Sequence, residues 1–454
     1  MKPLKILLPV HCFFPKHFYG TETYTLELAK TLRSAGHEIS ILTAILYGED
    51  STGELYTQYE YDGLPVHCVD LNSQPLKNFK QMYVRPDLYP VLYDIIDRIS
   101  PDIAHVTHLM GHTSTLLEVL RDLDIPTVAT LTDFFGICPN SKLERHDGSL
   151  CLGPNRRSTN CLICYFRSHV HFNSHKYVGR FMKNDFSLKI LTKMLPYVTK
   201  LPSFRDRPLS GHIFEVTDRI DILRPLYDVY QVMIAPTDFL FEAYTRNRFY
   251  PEKLRKINFG LNLDLVEGYG EPRQKKDSHV RFGYIGQITA HKGVDLLVKA
   301  FSELKGNNSS LVIYGPSDQD GPYMDQLMQL SKNLDQIEFK STFPQTELAG
   351  HLSEMDVLVI PSRWYENSPL VLLYALATRT PVIVTDVKGM NEFVKNGFNG
   401  YTFEKDSVNH LLSAMQKIAD DPSCINRLSE NANYLKSVSD HTSDVLAIYE
   451  QILK

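Results

Sequence analysis

The chain has 454 residues, 43% hydrophobic and 22% charged, with a net charge of −5. That balance suits a globular chain of about two to three domains with sizeable cores, and it excludes a basic nucleic-acid binder. No apolar run reaches transmembrane length, and seven cysteines, an odd number, fit a reducing cytosol.

The N-terminus, MKPLKILLPVHCFFPK, has a short apolar core but no small-residue cleavage site. It reads as a first strand, Lys5 to Val10, and not as a signal peptide. The loop His11 to Gly20 leads into an amphipathic helix near Thr21 to Ser34, with Gly36 as its C-cap. Strands follow at Glu38 to Thr43 and Leu64 to Leu71. Next come a helix at Asp87 to Ile99, a strand at Ile103 to Val106, a helix at Thr113 to Leu123 and a strand at Thr127 to Leu131. Alternating strands and helices predict a doubly wound α/β sheet.

The segment Cys138 to Tyr227 breaks this rhythm. It is rich in cysteine, then histidine, then lysine and arginine. From Val229 a strand resumes, followed by a helix from Phe239 to Asn247 and a strand and turn at Ile257 to Gly260. The polar run Glu271 to Ser278 reads as an interdomain linker. The second half repeats the pattern, with strands at Arg281 to Ile285, Ser310 to Tyr314 and Ile337 to Lys340. Helices at Gly293 to Leu304, Tyr323 to Leu334 and Glu347 to Glu354 alternate with them. Helices over Val408 to Asp420, Asn426 to Lys436 and Ser443 to Leu453 close the chain.

The most informative stretch is Val357 to Tyr374, VLVIPSRWYENSPLVLLY. A buried strand, Val357 to Ile360, stops at Pro361. A polar loop follows with the single tryptophan, Trp364. Ser368 as N-cap and Pro369 as first helical residue then open an apolar, buried helix, and a strand follows at Pro381 to Thr385. Ligands of parallel sheets sit beyond the carboxyl ends of the strands, and helix N-termini there attract phosphate. Glu366 hangs at that point. A carboxylate beside a phosphate-ready helix end suits sugar hydroxyls as donors.

Several motifs in order carry a resemblance: PKHFYGTETYTLELAKTLRSAGHEISILT, PDIAHV, GQITAHKGVDLLVKAF, PSRWYENSPLVLLYALATRTPVIVT and GMNEFVKNGFNGYTF. The chain resembles family 4 of the retaining glycosyltransferases, across most of its length outside the insert. The resemblance implies the GT-B fold: two Rossmann-like doubly wound α/β domains facing a cleft. The N-terminal, acceptor-side domain is expected at residues 1–264, with a cysteine-containing helical insert at about 138–227. The nucleotide-sugar-binding domain is expected at 279–438, and residues 439–454 as a terminal helix packing back on the first domain. It implies a nucleotide-diphosphate donor, UDP- or GDP-sugar, and a glycan or lipid-linked acceptor. Polysaccharide or glycan biosynthesis follows, with retention of configuration and no metal or other cofactor for the chemistry. The alternative is a catalytically degenerate GT-B protein acting as a binding or partner subunit.

The resemblance also assigns roles. Lys292 is the cation that stabilises charge growing on the leaving diphosphate. Gln287, where the family usually has arginine, still offers a hydrogen bond. The amides of Ser368, Leu370 and Val371 receive phosphate oxygens, with Asn367 beside them. Glu366 orients the transferred sugar. Tyr374 stands where the family has a ribose-binding glutamate, either as a nucleotide contact or as buried core. Glu392 is placed near the donor. Gly20 lets the loop approach the diphosphate. Thr132 replaces a family histidine, which leaves His108 and Asp133 as the titratable strand-end groups, in a catalytic or a structural role.

The cysteines Cys138-x12-Cys151-x9-Cys161-x2-Cys164 put four thiols in one segment. They are either a structural zinc site or reduced, unliganded cysteines. The segment Tyr165 to Arg224 interleaves Lys176, Arg180, Lys183 and Lys189 with apolar residues. It reads either as a solvated helical lid or as a basic face lying on anionic lipid. The expected location is cytoplasmic, with peripheral contact at the inner face of a membrane under the second reading.

Overall fold

The computed structural model describes residues 2–169, 190, 193–194, 208–306 and 308–454. The chain divides into two units. The first comprises Met1–Pro236, Leu240–Ile257 and Thr442–Lys454; the second comprises Thr237–Phe239 and Asn258–His441.

The first unit holds an eight-stranded sheet of β1 (Lys5–Pro9), β2 (Glu38–Ile45), β3 (Tyr56–Tyr61), β4 (Leu64–Asp70), β5 (Ile103–Val106), β6 (Thr127–Thr130), β7 (Tyr230–Ala235) and β8 (Leu254–Lys256). Its order is β3-β4-β2-β1-β5-β6-β7-β8, parallel except for β3. The central strands are buried runs because helices cover both faces of a parallel sheet; β5 and β6 are buried at every residue. The antiparallel edge strand β3 is an addition to the expected pattern. It pairs with β4 through the two-residue loop Asp62-Gly63, both with positive φ, a hairpin turn that such residues favour.

The helices of this unit include α1 (Gly20–Ser34), α2 (Tyr89–Ile99), α3 (Thr115–Asp122), α4 (Thr159–His169), α5 (Pro208–Thr217) and α6 (Arg219–Leu226). The expected strand at Ile257 to Gly260 is displaced: β8 ends at Lys256, and Leu261 instead bridges Ser437. The basic stretch that suggested a lid or a lipid-facing surface falls mostly at 170–207, outside the described residues. Among the described residues, no helix is long and apolar enough to cross a membrane.

The second unit holds a six-stranded parallel sheet of β9 (Val280–Ile285), β10 (Ser309–Tyr314), β11 (Ile337–Lys340), β12 (Val357–Ile360), β13 (Val382–Thr385) and β14 (Gly400–Phe403). The order is β11-β10-β9-β12-β13-β14. This is the doubly wound Rossmann order, in which the chain reverses direction across the sheet between the first and fourth strands. In the first unit β4-β2-β1-β5-β6-β7 repeats the same order. Each sheet therefore has its own switch point: β1/β5 in the first unit and β9/β12 in the second. Val280, Phe282, Val357 and Val359 of the sheet pack with Leu297, Leu411 and Ile425 of its helices into the core of the second unit.

The expected linker, Glu271 to Ser278, is instead part of the second unit. Arg273 is anchored there by the Leu352 carbonyl at 2.7 Å, Thr380 Oγ1 at 2.6 Å and the Ser353 carbonyl. Lys275 Nζ meets Asp356 at 2.7 Å. Polar composition made this run look like a tether. Its charges are spent on the body of the unit.

Candidate functional site

At the second unit's switch point two loops meet. One follows β9 and runs Gly286 to Gly293, ahead of helix α7 (Val294–Ser302). The other follows β12 and runs Pro361 to Pro369, ahead of helix α8 (Leu370–Ala377). The β12 loop brings Glu366 to Lys292, 74 residues away in sequence, with Nζ 2.6 Å from Oε1. Ser362 Oγ and Trp364 Nε1 donate to the same oxygen, at 2.7 and 2.8 Å. Oε2 is left without a protein partner among the described residues. Glu366 is 9% exposed, and burial alone would raise its carboxyl pKa. The Lys292 charge and the three donors outweigh burial and hold it below its usual range. The ring of Trp364 lies under Lys292, 5.1 Å from Nζ, and beside the His291 ring.

Helix α8 starts just past this carboxylate. The expected N-cap is corrected: Pro369, with extended ψ, holds the cap position and the helix begins at Leu370. Ser368 is buried with φ +61, and its Oγ has no partner. A left-handed residue turns the chain sharply before the helix, so its side chain cannot reach back to the first-turn amides. Among the described residues, the amides of Leu370 and Val371 have no protein acceptor, as first-turn amides of a helix ordinarily lack one. Asn367 sits half-buried between Glu366 and this turn.

The two loops are fastened by groups that the sequence reading did not single out. Arg363 donates to Asp295 from two nitrogens, at 2.7 and 2.9 Å, and to the Ala290 carbonyl at 2.6 Å. Tyr323 adds a hydrogen bond to Asp295 at 2.8 Å. Two glycines allow the close approach. A Cβ on Gly293 (φ +72) would meet the Pro361 carbonyl oxygen at 2.1 Å, and one on Gly389 (φ +87) would meet that of Glu366 at 1.5 Å. Gly389→Ala is therefore expected to cost about 3 kcal/mol, read from urea unfolding, because both space and backbone angle exclude a side chain. A change below about 0.5 kcal/mol, the ordinary surface value, would contradict this packing.

The other expected donor contacts are more dispersed. Gln287 lies on the β9 loop, its carbonyl accepting from the Tyr284 hydroxyl at 2.7 Å. Glu392 lies in a short turn after β13, and Oε2 accepts the Asp238 amide at 2.8 Å. Tyr374 is 2% exposed, and its hydroxyl accepts from the Asn262 amide at 3.2 Å and from Gln345 Nε2 at 3.4 Å. Its polar tip is thus hydrogen-bonded by protein.

In the first unit, His108 and Asp133 meet at the β5 and β6 strand ends, with Nε2 3.1 Å from Oδ2. The His108 Nδ1 accepts the Met110 amide at 3.0 Å, which places the ring proton of neutral His108 on Nε2, toward Asp133. Burial raises the Asp133 pKa, but His108 outweighs it and the carboxyl is held low. The His11 ring lies 4.1 Å from that of His108, and His11 reaches Glu22 at 3.4 Å. Thr132, in the place of the family histidine, donates to the Thr107 carbonyl at 2.6 Å. His105 is fully buried between Tyr449 and Thr130, a structural role. Gly20 opens α1, with open space where its Cβ would stand.

The four expected metal cysteines, Cys138, Cys151, Cys161 and Cys164, line one cavity of about 50 Å³. No three of their sulfurs lie within 4.8 Å of one another. Among the described residues, two mixed groups do have ligand atoms that close: His11, Cys12 and Glu22, and Cys12, His17 and Glu49.

Comparison with known proteins matches residues 271–434 to the model for glycosyl transferases group 1 and residues 18–149 to that for glycosyltransferase family 4. The chain is 29% identical over 178 residues to an alpha-D-kanosaminyltransferase of Streptomyces kanamyceticus, covering 37% of this chain and 45% of that one. It is 30% identical over 213 residues to the UDP-Gal:alpha-D-GlcNAc-diphosphoundecaprenol alpha-1,3-galactosyltransferase of Escherichia coli, covering 41% and 52%. The chain thus spans about half the length of the curated relatives it matches. Among solved structures it resembles a Rickettsia africae glycosyltransferase, with TM-score 0.65, 16% identity and full coverage of both chains. It also resembles Anabaena HepE in complex with UDP and glucose, with TM-score 0.63, 13% identity and coverage of 98% and 99%. At these identities the likeness establishes the GT-B fold, two Rossmann-like α/β domains.

Proposed function

The chain belongs to the group 1, family 4-like glycosyltransferases, and on that basis we propose that it transfers a sugar from a nucleoside-diphosphate donor, UDP- or GDP-linked, to a hydroxyl of a glycan or lipid-linked acceptor. The observation that carries this is the convergence of Lys292, Ser362 and Trp364 on one oxygen of Glu366, beside the partnerless amides of Leu370 and Val371. A cation and two helix-end amides suit a diphosphate. The remaining carboxylate oxygen suits sugar hydroxyls. A glycosyl phosphate carries both groups, joined at its anomeric carbon.

We assign the roles accordingly. As the bond from the anomeric carbon to the β-phosphate oxygen breaks, negative charge grows on that oxygen. Lys292 and the amides stabilise it there, where the interaction is stronger than in the ground state. Glu366 Oε2 accepts from the sugar hydroxyls and fixes the ring. The acceptor oxygen bonds the anomeric carbon on the face that the phosphate leaves, and its proton passes to the departing diphosphate. The anomeric configuration is thereby retained, and no metal takes part. The His108–Asp133 pair of the first unit acts on the acceptor side.

The test is a turnover screen of UDP- and GDP-sugars with lipid-linked and oligosaccharide acceptors, reading the product anomer by proton NMR. Transfer with the donor's anomeric configuration is expected. Inverted product would refute the assigned geometry, and no turnover or hydrolysis of any donor would refute the enzyme itself.

A further inference from the structure

We propose that Cys138, Cys151, Cys161 and Cys164 bind one zinc ion, which fastens the loop carrying Asp133 to helix α4. Three observations independent of the spacing support it. First, the four side chains come from two separate pieces of chain, the loop after β6 and the first turns of α4, yet all face one small cavity.

Second, amide donors reach one sulfur of the cluster, while the Cys138 thiol donates to Asn140 Oδ1 at 2.8 Å and the Cys151 thiol to the Gly153 carbonyl at 3.4 Å, contacts that metal binding must replace. The Gly153 amide donates to Cys151 Sγ at 3.4 Å, and Asn160 Nδ2 approaches the same sulfur at 3.7 Å. A neutral thiol is a poor acceptor, and amide donors aimed at sulfur favour its ionised form.

Third, a buried cation beside the cluster lacks an acidic partner. Arg219 is 3% exposed and packs on the rings of Tyr83 and Phe135. Its guanidinium donates to the carbonyls of Phe135 and of Gly136, the latter at 3.4 Å, just ahead of Cys138. No carboxylate pairs with it among the described residues. A buried charge of this kind calls for compensation. Four thiolates around one zinc carry a net charge of −2, and Arg219 faces that side.

Four clustered thiolates are costly on their own, and a divalent cation reverses that cost. On binding, four S–H bonds give up their protons to solvent and four Zn–S bonds form, with no change of oxidation state. The sulfurs must close from their present spacing to a tetrahedron with Zn–S near 2.3 Å. The role is structural, since four thiolates leave the ion no open position for a substrate. Asp133 lies five residues ahead of Cys138, so the ion holds the chain that sets the His108–Asp133 pair.

The test is elemental analysis of the full chain purified without chelators, with cobalt substitution as the second readout. About one zinc per chain is expected, released by a thiol-blocking mercurial. Cobalt should give thiolate charge-transfer bands and the visible bands of a tetrahedral site. Cys161→Ser should lose the metal, Cys164→His should keep it, and Cys424→Ser, at a distant cysteine, should not change it. Absence of stoichiometric zinc in the wild-type chain would overturn the proposal, as would the absorbance of an iron–sulfur cluster or zinc retained in Cys161→Ser. If Cys161→Ser does not fold, the wild-type zinc content and cobalt spectrum still decide.

Discussion

Glu366→Gln is expected to lower the rate of the proposed sugar transfer by about a hundred- to a thousand-fold, the scale of one lost transition-state contact in a preorganised site. The substitution keeps the size of the side chain and removes its charge. Ser362 and Trp364 can still donate to the amide oxygen, so the loop should keep its shape. Lys292 keeps that oxygen at 2.6 Å but loses its charge, and the sugar meets an NH2 donor in place of an anionic acceptor. The loss should fall on kcat, with the KM for donor changed little, because the nucleoside is held elsewhere. Thermal melting should shift only slightly. A variant that keeps more than about a tenth of wild-type kcat would remove Glu366 from the role assigned here, since the weakest of such contacts is worth more.

Asp295→Asn is expected to destabilise the second unit by about 3 kcal/mol, the scale for removing one partner of a buried ion pair. The Asp295 side chain is 7% exposed and that of Arg363 is 23% exposed. Burial pushes the Asp295 carboxyl up, but Arg363, Tyr323 and Lys299 outweigh it and hold its pKa well below the usual range. A depressed folded pKa contributes stability that is fully present above the unfolded value of about 3.9. That contribution is lost as pH falls through the lower folded value. The gap between wild type and Asp295→Asn should therefore be constant across neutral pH and shrink below about pH 4. Urea melts at neutral and acidic pH measure it, and a gap unchanged in acid would contradict the assignment. Donor binding should weaken as well, because this pair fastens the loop carrying Lys292 to the one carrying Glu366.

The parts of the chain that were legible in sequence share a physical cause. The strands β12 and β13 are continuous apolar runs because they are buried on both faces, and the Glu366 loop follows the first of them. Less legible were the features that depend on partners distant in sequence. Arg363 looked like any loop arginine, and its partner Asp295 lies 68 residues earlier. Nothing in the GMNE motif marks Gly389, because the carbonyl that excludes its side chain belongs to Glu366. The serine-proline pair before α8 suggested an ordinary cap, but Ser368 takes a left-handed angle that composition does not announce. Tyr374 could have faced a ligand or the core, and its burial and its hydroxyl partners Asn262 and Gln345 depend on residues distant in sequence. By contrast, β3 carries a signal readable in sequence, the Asp62-Gly63 turn, beside the stronger parallel pattern.

The central claim is that Lys292, Glu366 and the start of α8 form a nucleotide-sugar site. Calorimetric titration of UDP and GDP into the wild-type chain and into Lys292→Ala tests it most directly. One nucleotide should bind the wild-type chain, more weakly at high salt, and should bind Lys292→Ala at least about tenfold more weakly, as expected for a lost charge-assisted contact. Equal affinity for both chains, or no binding of either nucleotide, would contradict the account.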